Sequence, residues 1–124
     1  MSAWGIGTDI VEIDRIRRIV DKYSDNFRKK IFTDVEWEYC WEKKNPIPSL
    51  AARFAAKEAV FKALGIGIGA CKWKDVEVYN NGQGKPEILL HGKAADIARA
   101  HFVNMIQVSL SHCKNHAIAF VVVN

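Results

Sequence analysis

Glu58 and Lys62 stand four positions apart in the stretch SLAARFAAKEAVFKALG, an interval that places an acid and a base on one face of a helix together with Phe54 and Phe61. A glutamate one turn before a lysine is, by itself, a modest surface pair worth about 0.2–0.5 kcal/mol. The surroundings point further, because the stretch is rich in Ala and Phe and runs into a glycine-interrupted loop, so the stripe is expected to lie partly out of water. A second carboxyl, Asp9, stands in the otherwise apolar WGIGTDIVEI. A carboxylate there is costly to bury unless paired or bound to a metal, and an edge position facing solvent is the alternative. If Asp9 and Glu58 converge, their hard oxygens would suit Mg²⁺, which usually takes one or two protein carboxylates and keeps several waters. Such a pair would serve phosphoryl chemistry.

Two further groups of residues could contact phosphate. Gly65-Ile66-Gly67-Ile68-Gly69 could let backbone amides approach an anion, but it follows a helix and lacks the Lys-Ser/Thr of a Walker loop, so a helix stop explains it equally well. Ser109-Leu110-Ser111-His112 places two hydroxyls on one face of a strand with an imidazole at its end. Coenzyme contact and Ser-His nucleophilic catalysis both fit that composition. The second is the weaker reading, since no GxSxG elbow is present and adjacent Ser111 and His112 point to opposite faces of a strand.

The elements that must carry these groups are legible from periodicity. Residues 4–13 alternate apolar with polar or small residues and predict an opening strand. Ile16, Ile19, Val20 and Tyr23 recur at helical spacing, and a turn at Ser24-Asp25 separates them from Phe27 and Ile31, which suggests two short helices. Thr33-Asp34-Val35-Glu36 is a capping box that opens a further helix through Tyr39 and Trp41, stopped by Asn45-Pro46-Ile47-Pro48. Ser49 is the expected cap of the long central helix and Gly65 its terminator. Strands at residues 76–79 and 87–91 flank a turn-rich NNGQGKP and read as a hairpin, residues 93–103 as a helix, and residues 106–111 and 117–123 as a second hairpin. The order β-α-α-α-β-β-α-β-β predicts one α+β domain over residues 1–124, a two-layer fold with an antiparallel sheet packed on the long central helix.

A chain of 124 residues, 49% hydrophobic and 26% charged, has ordinary globular composition, which argues against a disordered chain, a collagen-like repeat and a coiled-coil rod. The longest unbroken apolar run, residues 117–123, is far short of the roughly 18 residues of a membrane span. Met1-Ser2-Ala3-Trp4-Gly5 lacks the basic and apolar regions of a secretory signal, so a cytosolic location is expected. Cys40, Cys71 and Cys113 are odd in number with no CxxC pair, and read as reduced thiols. His112 and His116 lack an HExxH context, which argues against a structural metal. The net charge of +4 is concentrated in residues 14–30, where Arg15, Arg17, Arg18, Lys22, Arg28, Lys29 and Lys30 face only Asp14, Asp21 and Asp25. That segment suggests a docking face for an acidic partner. A nucleic acid is one candidate, although no HTH, KH or RNP pattern accompanies the charge; an acidic protein fits at least as well.

Three ordered segments, GIGTDIVEIDRI at 5–16, RFAAKEAVFKALG at 53–65 and VSLSHCKNHAIAFV at 108–121, with the NGQGKP turn at 81–86 between them, together resemble the holo-[acyl-carrier-protein] synthases, the short bacterial 4′-phosphopantetheinyl transferases. The resemblance spans the chain. It implies transfer of the 4′-phosphopantetheine arm of coenzyme A to a serine of apo acyl carrier protein, releasing adenosine 3′,5′-bisphosphate, in support of fatty acid biosynthesis. It implies Mg²⁺ held by Asp9 and Glu58, removal of the serine proton by way of Glu58 through a water, and stabilisation of the departing phosphate by Lys62. It also implies coenzyme contacts from Arg53, Lys62, Gly65, Gly67, Ser109, Ser111 and His112, and carrier-protein contacts from Arg15, Ile19, Lys22, Lys30 and Phe54. The family assembles as a trimer with active sites between subunits, and its partners are the carrier protein and coenzyme A, neither a nucleic acid nor a membrane. This chain departs from the family pattern at Cys113, where a small or acidic residue is usual, and at His116, near where a tyrosine is usual. A basic nucleic-acid-binding module and a metal-dependent nucleotide hydrolase using the same carboxylates are the competing readings.

Overall fold

The computed structural model describes residues 4–67 and 69–124. Met1, Ser2 and Ala3 of the N-terminal stretch and Ile68 of the glycine loop lie outside the described residues. The elements follow the expected order: β1 (Gly5–Glu12), α1 (Ile13–Ile31), α2 (Asp34–Trp41), α3 (Ile47–Leu64), a short 3-10 turn (Trp73–Asp75), β2 (Val76–Asn80), β3 (Pro86–Leu90), α4 (Gly92–Ala100), β4 (Ile106–His112) and β5 (His116–Val123). The fold is α+β, with antiparallel strands in two groups, a three-stranded sheet ordered β1-β5-β4 and the β2-β3 hairpin.

α3 is the centre of the molecule. Fourteen of its residues are buried, among them Ala51, Ala55, Ala56 and Ala59, so the helix offers small surfaces on every side and the other elements pack close to its axis. β1 exploits this most. Its inward face carries Gly5, Gly7, Asp9 and Val11, and a Cβ added to Gly7 or Gly5 would overlap the carbonyl oxygens of Ala59 and Ala63. The strand therefore lies against the helix backbone itself, which only glycine allows. On the other side of α3 an aromatic cluster fills the space below α1 and α2, with Phe54 stacked on Trp73 at 5.1 Å and Phe27 edge-on to Phe32 at 5.3 Å.

Several boundaries differ from the sequence expectation. In α1 the two expected short helices do form, joined end to end at a kink at Tyr23 (φ −134°, ψ 37°), just before Ser24-Asp25. The Thr33 capping box forms as expected, the hydroxyl accepting from Glu36 N and the Glu36 carboxylate from Thr33 N. α2 ends at Trp41, before the prolines, and α3 begins at Ile47 with Pro48 in its first turn, where a missing N–H costs nothing. Ser49 is thus inside the helix and caps nothing; its Oγ accepts from Arg53 Nη1 at 3.0 Å. Gly65 does terminate α3, at φ 69°. α4 stops at Ala100 because Phe102 takes a positive φ of 58°, and Val103 N closes the end on Ala98 O at 2.9 Å.

Candidate functional site

Because successive residues of a strand point to opposite faces, Gly5 and Gly7 bring Asp9, the next residue on their face, against α3. Glu58 and Lys62 reach it from one turn and the next. Lys62 Nζ donates to the Thr8 carbonyl at 2.9 Å and pairs with Asp9 Oδ1 at 3.2 Å. Asp9 is sheltered, with a side chain 13% exposed, whereas that of Lys62 is 55% exposed. The Glu58 carboxyl lies within hydrogen-bond reach of Asp9, and its pKa is pushed up, first by partial burial and then by the charge and contact of Asp9; Lys62 and Arg15 pull it back only in part. The expected convergence of the two carboxyls occurs, with Asp9 sheltered and Glu58 half-buried.

Two carboxyls in contact repel when both are ionised, and the arrangement relaxes with either a shared proton or a cation. Oxygen donors from a strand and a helix, with the remaining positions left to water and substrate, are the donor set a hard divalent ion accepts. Among the described residues no cluster of three or more His, Cys, Asp or Glu is present, so any such ion would have only these two protein carboxylates. The residues fit Mg²⁺ in type and number.

A second cleft, of about 430 Å³, opens near the N-terminal half of α3 and is lined by Tyr39, Lys43, Arg53, Asn80, Ser111 and His112 among others. Arg53 is nearly fully buried there. Its guanidinium lies 4.5 Å from the Tyr39 ring centroid, donates to Ser49 Oγ and Asn80 Oδ1, and keeps its Nε without a partner. None of Asp9, Glu58 and Lys62 lines this cleft. Ser111 and His112 thus gather with Arg53, while Ser109 is exposed on the outer face of the sheet beside Phe120. Gly65 and Gly67 are exposed in the loop after α3, with open space around both.

The basic helix presents Arg15, Lys22 and Lys30 to solvent, and Ile19 is partly buried. Lys30 joins Lys29, Lys72 and Lys74 around a cleft of about 590 Å³ that also includes Cys71 and Trp73. Phe54 is not displayed on this face. It is buried, stacked on Trp73, and covered by the Arg15 guanidinium 5.9 Å from its ring centroid.

Sequence reasoning missed Tyr39, Lys43 and Asn80, which come together only through the packing of α2, α3 and the β2-β3 hairpin. It also missed Lys57. A visible signal existed, since consecutive Lys57 and Glu58 in an otherwise apolar helix force one charge inward. Lys57 is fully buried and pairs at 2.8 Å with Glu36, itself fully buried. Burial pushes the Lys57 pKa down, against the opposing pull of the Glu36 carboxylate.

Comparison with known proteins identifies the family. Residues 5–121 match the family model of the 4′-phosphopantetheinyl transferase superfamily. The chain is 46% identical over 117 residues to the holo-[acyl-carrier-protein] synthase of Moorella thermoacetica, covering 94% of this chain and 91% of that one. The crystal structure of the Neisseria meningitidis holo-[acyl-carrier-protein] synthase superposes with a TM-score of 0.90 at 34% identity, covering 99% of each chain. That of the Helicobacter pylori synthase in complex with coenzyme A superposes with a TM-score of 0.85 at 32% identity, covering 96% of this chain and 99% of that one. The chain that brings Asp9 to Glu58 across two glycines therefore belongs to the 4′-phosphopantetheinyl transferase superfamily, among its holo-[acyl-carrier-protein] synthases.

Proposed function

We propose that this chain transfers the 4′-phosphopantetheine arm of coenzyme A to a serine hydroxyl of apo acyl carrier protein, supporting fatty acid biosynthesis in the cytoplasm, and that residues 1–124 act as one transferase domain. The observation that carries the reading is the contact of Asp9, Glu58 and Lys62 on adjoining elements, in a chain whose relatives bear that enzymatic name. A coenzyme A complex of a related synthase supports the same donor. The three cysteines are unpaired, as suits a reducing compartment.

In this reading the partner's serine oxygen attacks the phosphorus that carries the pantetheine arm, and the bond from that phosphorus to the bridging oxygen breaks, releasing adenosine 3′,5′-bisphosphate. The enzyme supplies no nucleophile. Glu58, made more basic by burial and by Asp9, takes the serine proton through a water molecule. Lys62, held against the Thr8 carbonyl, meets the negative charge that gathers on the departing phosphate. Mg²⁺ held by Asp9 and Glu58 would neutralise pyrophosphate charge. Arg53, with its free Nε, and His112 and Ser111 are suited to a phosphate of the nucleotide. Ser109, Gly65 and Gly67 are further coenzyme contacts in the same scheme.

The carrier protein docks on α1 in this reading, drawn by Arg15, Lys22 and Lys30 and seated along Ile19. Phe54 contributes from beneath, as the surface on which Arg15 rests. We further propose a homotrimer. The outer face of the three-stranded sheet leaves Ile6 64%, Ile10 63% and Phe120 48% exposed, with Ile10 beside Ile118 and Phe120 beside Thr8 in register. A contiguous apolar face of this kind favours association. Assembly would also let the carboxylate cluster of one copy meet the Arg53 and His112 cleft of another, since one chain does not join them.

The direct test is intact-mass measurement of an apo acyl carrier protein incubated with this protein, coenzyme A and Mg²⁺, with and without EDTA. The expected result is addition of one phosphopantetheine arm, abolished by EDTA. Unmodified carrier with intact coenzyme A overturns the reading, and cleaved coenzyme A with unmodified carrier replaces it with hydrolysis.

A further inference from the structure

We propose that Ser49 and Asn80 are specificity-determining positions for coenzyme A, neutral acceptors that hold the Arg53 guanidinium at the cleft beside α3 without discharging it. This rests on the transferase reading and states how the coenzyme cleft of that reading favours an anion. Arg53 is 3% exposed, and a buried guanidinium is ordinarily paired with a carboxylate, because an uncompensated charge out of water is costly. Here it is not. Among the described residues Arg53 forms no ion pair with an acid. Its Nη1 donates to Ser49 Oγ at 3.0 Å, its Nη2 donates to Asn80 Oδ1, and its Cζ lies 4.5 Å from the centroid of the Tyr39 ring. All three contacts orient the group, and none brings a full negative charge.

The surroundings add charge of the same sign. Lys43 shares the Tyr39 ring, its Nζ 4.6 Å from the centroid. Burial pushes the Lys57 pKa down, and the Arg53 charge adds to that shift. The two holders are themselves fixed. Ser49 stands one helical turn before Arg53 on α3, and that spacing brings its hydroxyl to the guanidinium. The Asn80 amide is oriented by the β2-β3 hairpin, where its Nδ2 donates to the Gly84 carbonyl at 2.9 Å and leaves Oδ1 for Arg53. Ser49, Arg53 and Asn80 line the cleft of about 430 Å³ together with Lys43, Ser111 and His112. A fixed cation without a counter-charge of its own, at the wall of such a cleft, is completed by an anionic ligand. A carboxylate at position 49 or 80 would complete it permanently and keep the anion out. The planar fork of a guanidinium suits a phosphate group, and coenzyme A brings phosphates into the cleft in the transferase reading.

The test measures melting temperature, coenzyme A affinity by calorimetry, and KM and kcat by carrier mass in the wild type, Ser49→Asp, Ser49→Asn and Asn80→Asp. Ser49→Asp puts a carboxylate in the first turn of α3, one turn before an arginine, where the helix dipole and the new ion pair both favour it. Its melting temperature should hold or rise. Its Kd and KM for coenzyme A should nevertheless rise about tenfold or more, with kcat changed less than about twofold, the pattern of lost binding. Ser49→Asn returns a neutral acceptor and should recover most of the affinity. A merely structural role predicts the opposite, with affinity following stability. Asn80→Asp reads the same effect from the other holder, and should lose affinity to a similar extent while folded. Inorganic phosphate, titrated in parallel, should bind the wild type far more weakly than coenzyme A. A folded carboxylate variant with unchanged Kd overturns the proposal, as does a marked fall in the melting temperature of Ser49→Asp, an equal loss of affinity in Ser49→Asn, or phosphate binding as tight as that of the coenzyme. A wild type that transfers phosphopantetheine while both carboxylate variants keep their affinity removes only the role of Ser49 and Asn80. A wild type that neither binds coenzyme A nor modifies the carrier removes the transferase reading and this proposal together.

Discussion

Lys62 forms its ion pair with Asp9 of β1, at 3.2 Å, and not with Glu58 one turn before it on α3. The helical spacing that would ordinarily join the two is overridden by the strand, which offers Lys62 both a carboxylate and the Thr8 carbonyl at 2.9 Å. Glu58 is left to share Asp9 from the other side, and the three residues form a cluster with two acids and one base.

Glu58→Gln should lower kcat by about 10²–10⁴-fold, the usual contribution of a general base, with the effect deepened by weaker metal binding. Asp9→Ala should abolish transfer by weakening metal and coenzyme binding, and Lys62→Ala should lower turnover more than coenzyme affinity. Steady-state kinetics read by carrier mass resolves the three; full activity in the Glu58 variant would remove the site assignment.

The raised Glu58 pKa makes stability depend on pH. A carboxyl whose folded pKa lies above its unfolded one holds its proton more tightly when folded, so its contribution is complete below the ordinary carboxylate range and is lost as pH climbs through the raised Glu58 range. Melting temperature of the metal-free protein should fall across that window, Glu58→Gln should flatten the fall, and Mg²⁺ should reverse it in the wild type only. Identical pH profiles for wild type and variant would show that Asp9, Lys62 and Arg15 do not perturb Glu58 as the geometry indicates.

Gly7→Ala should cost about 2–4 kcal/mol of stability, since its Cβ overlaps the Ala59 carbonyl oxygen and the contact is backbone on both sides. Displacement of β1 also carries Asp9 away from Glu58, so activity at a temperature where the variant is fully folded should fall further than that of the wild type. Chemical denaturation and kinetics on the same sample separate the two losses.

Reversing charge at Arg15 and Lys22 together should weaken carrier-protein binding by about tenfold or more at low salt while leaving coenzyme A affinity within twofold, and the difference should shrink as salt is added. Calorimetric titration with each ligand reads this. Unchanged carrier affinity removes the docking face from α1.

If the outer face of the sheet is the interface of the proposed homotrimer, Ile10→Lys with Phe120→Lys should dissociate it while each chain stays folded, because both side chains already face outward from the sheet. Light scattering should then report a monomer, with activity lost through separation of the two clefts. A trimer that survives places the interface elsewhere.

Local chemistry written in short stretches was legible in advance: the Thr33 and Glu36 capping box, the Gly65 terminator, the hairpins and the alternation of β1 all formed as their spacing indicated. The break of α1 next to Ser24-Asp25 was legible too, but the start of α3 before Ser49 was not, because a helix start depends on which turn the core accepts.

The site divides in the same way. Residue types and spacing singled out Asp9, Glu58 and Lys62 as candidates, since charge in largely apolar elements invites a partner, while a surface helix pair and an exposed edge carboxylate remained open at that level. Only the tertiary structure decided which of them touch, that Phe54 lies beneath Arg15, and that Lys57 is the charge turned inward to pair with Glu36. The physical reason is range: propensity and capping act over a few residues and are written locally, whereas the approach of β1 to α3 and the burial of Lys57 against Glu36 join residues far apart in the chain and exist only once the backbone has closed around the central helix.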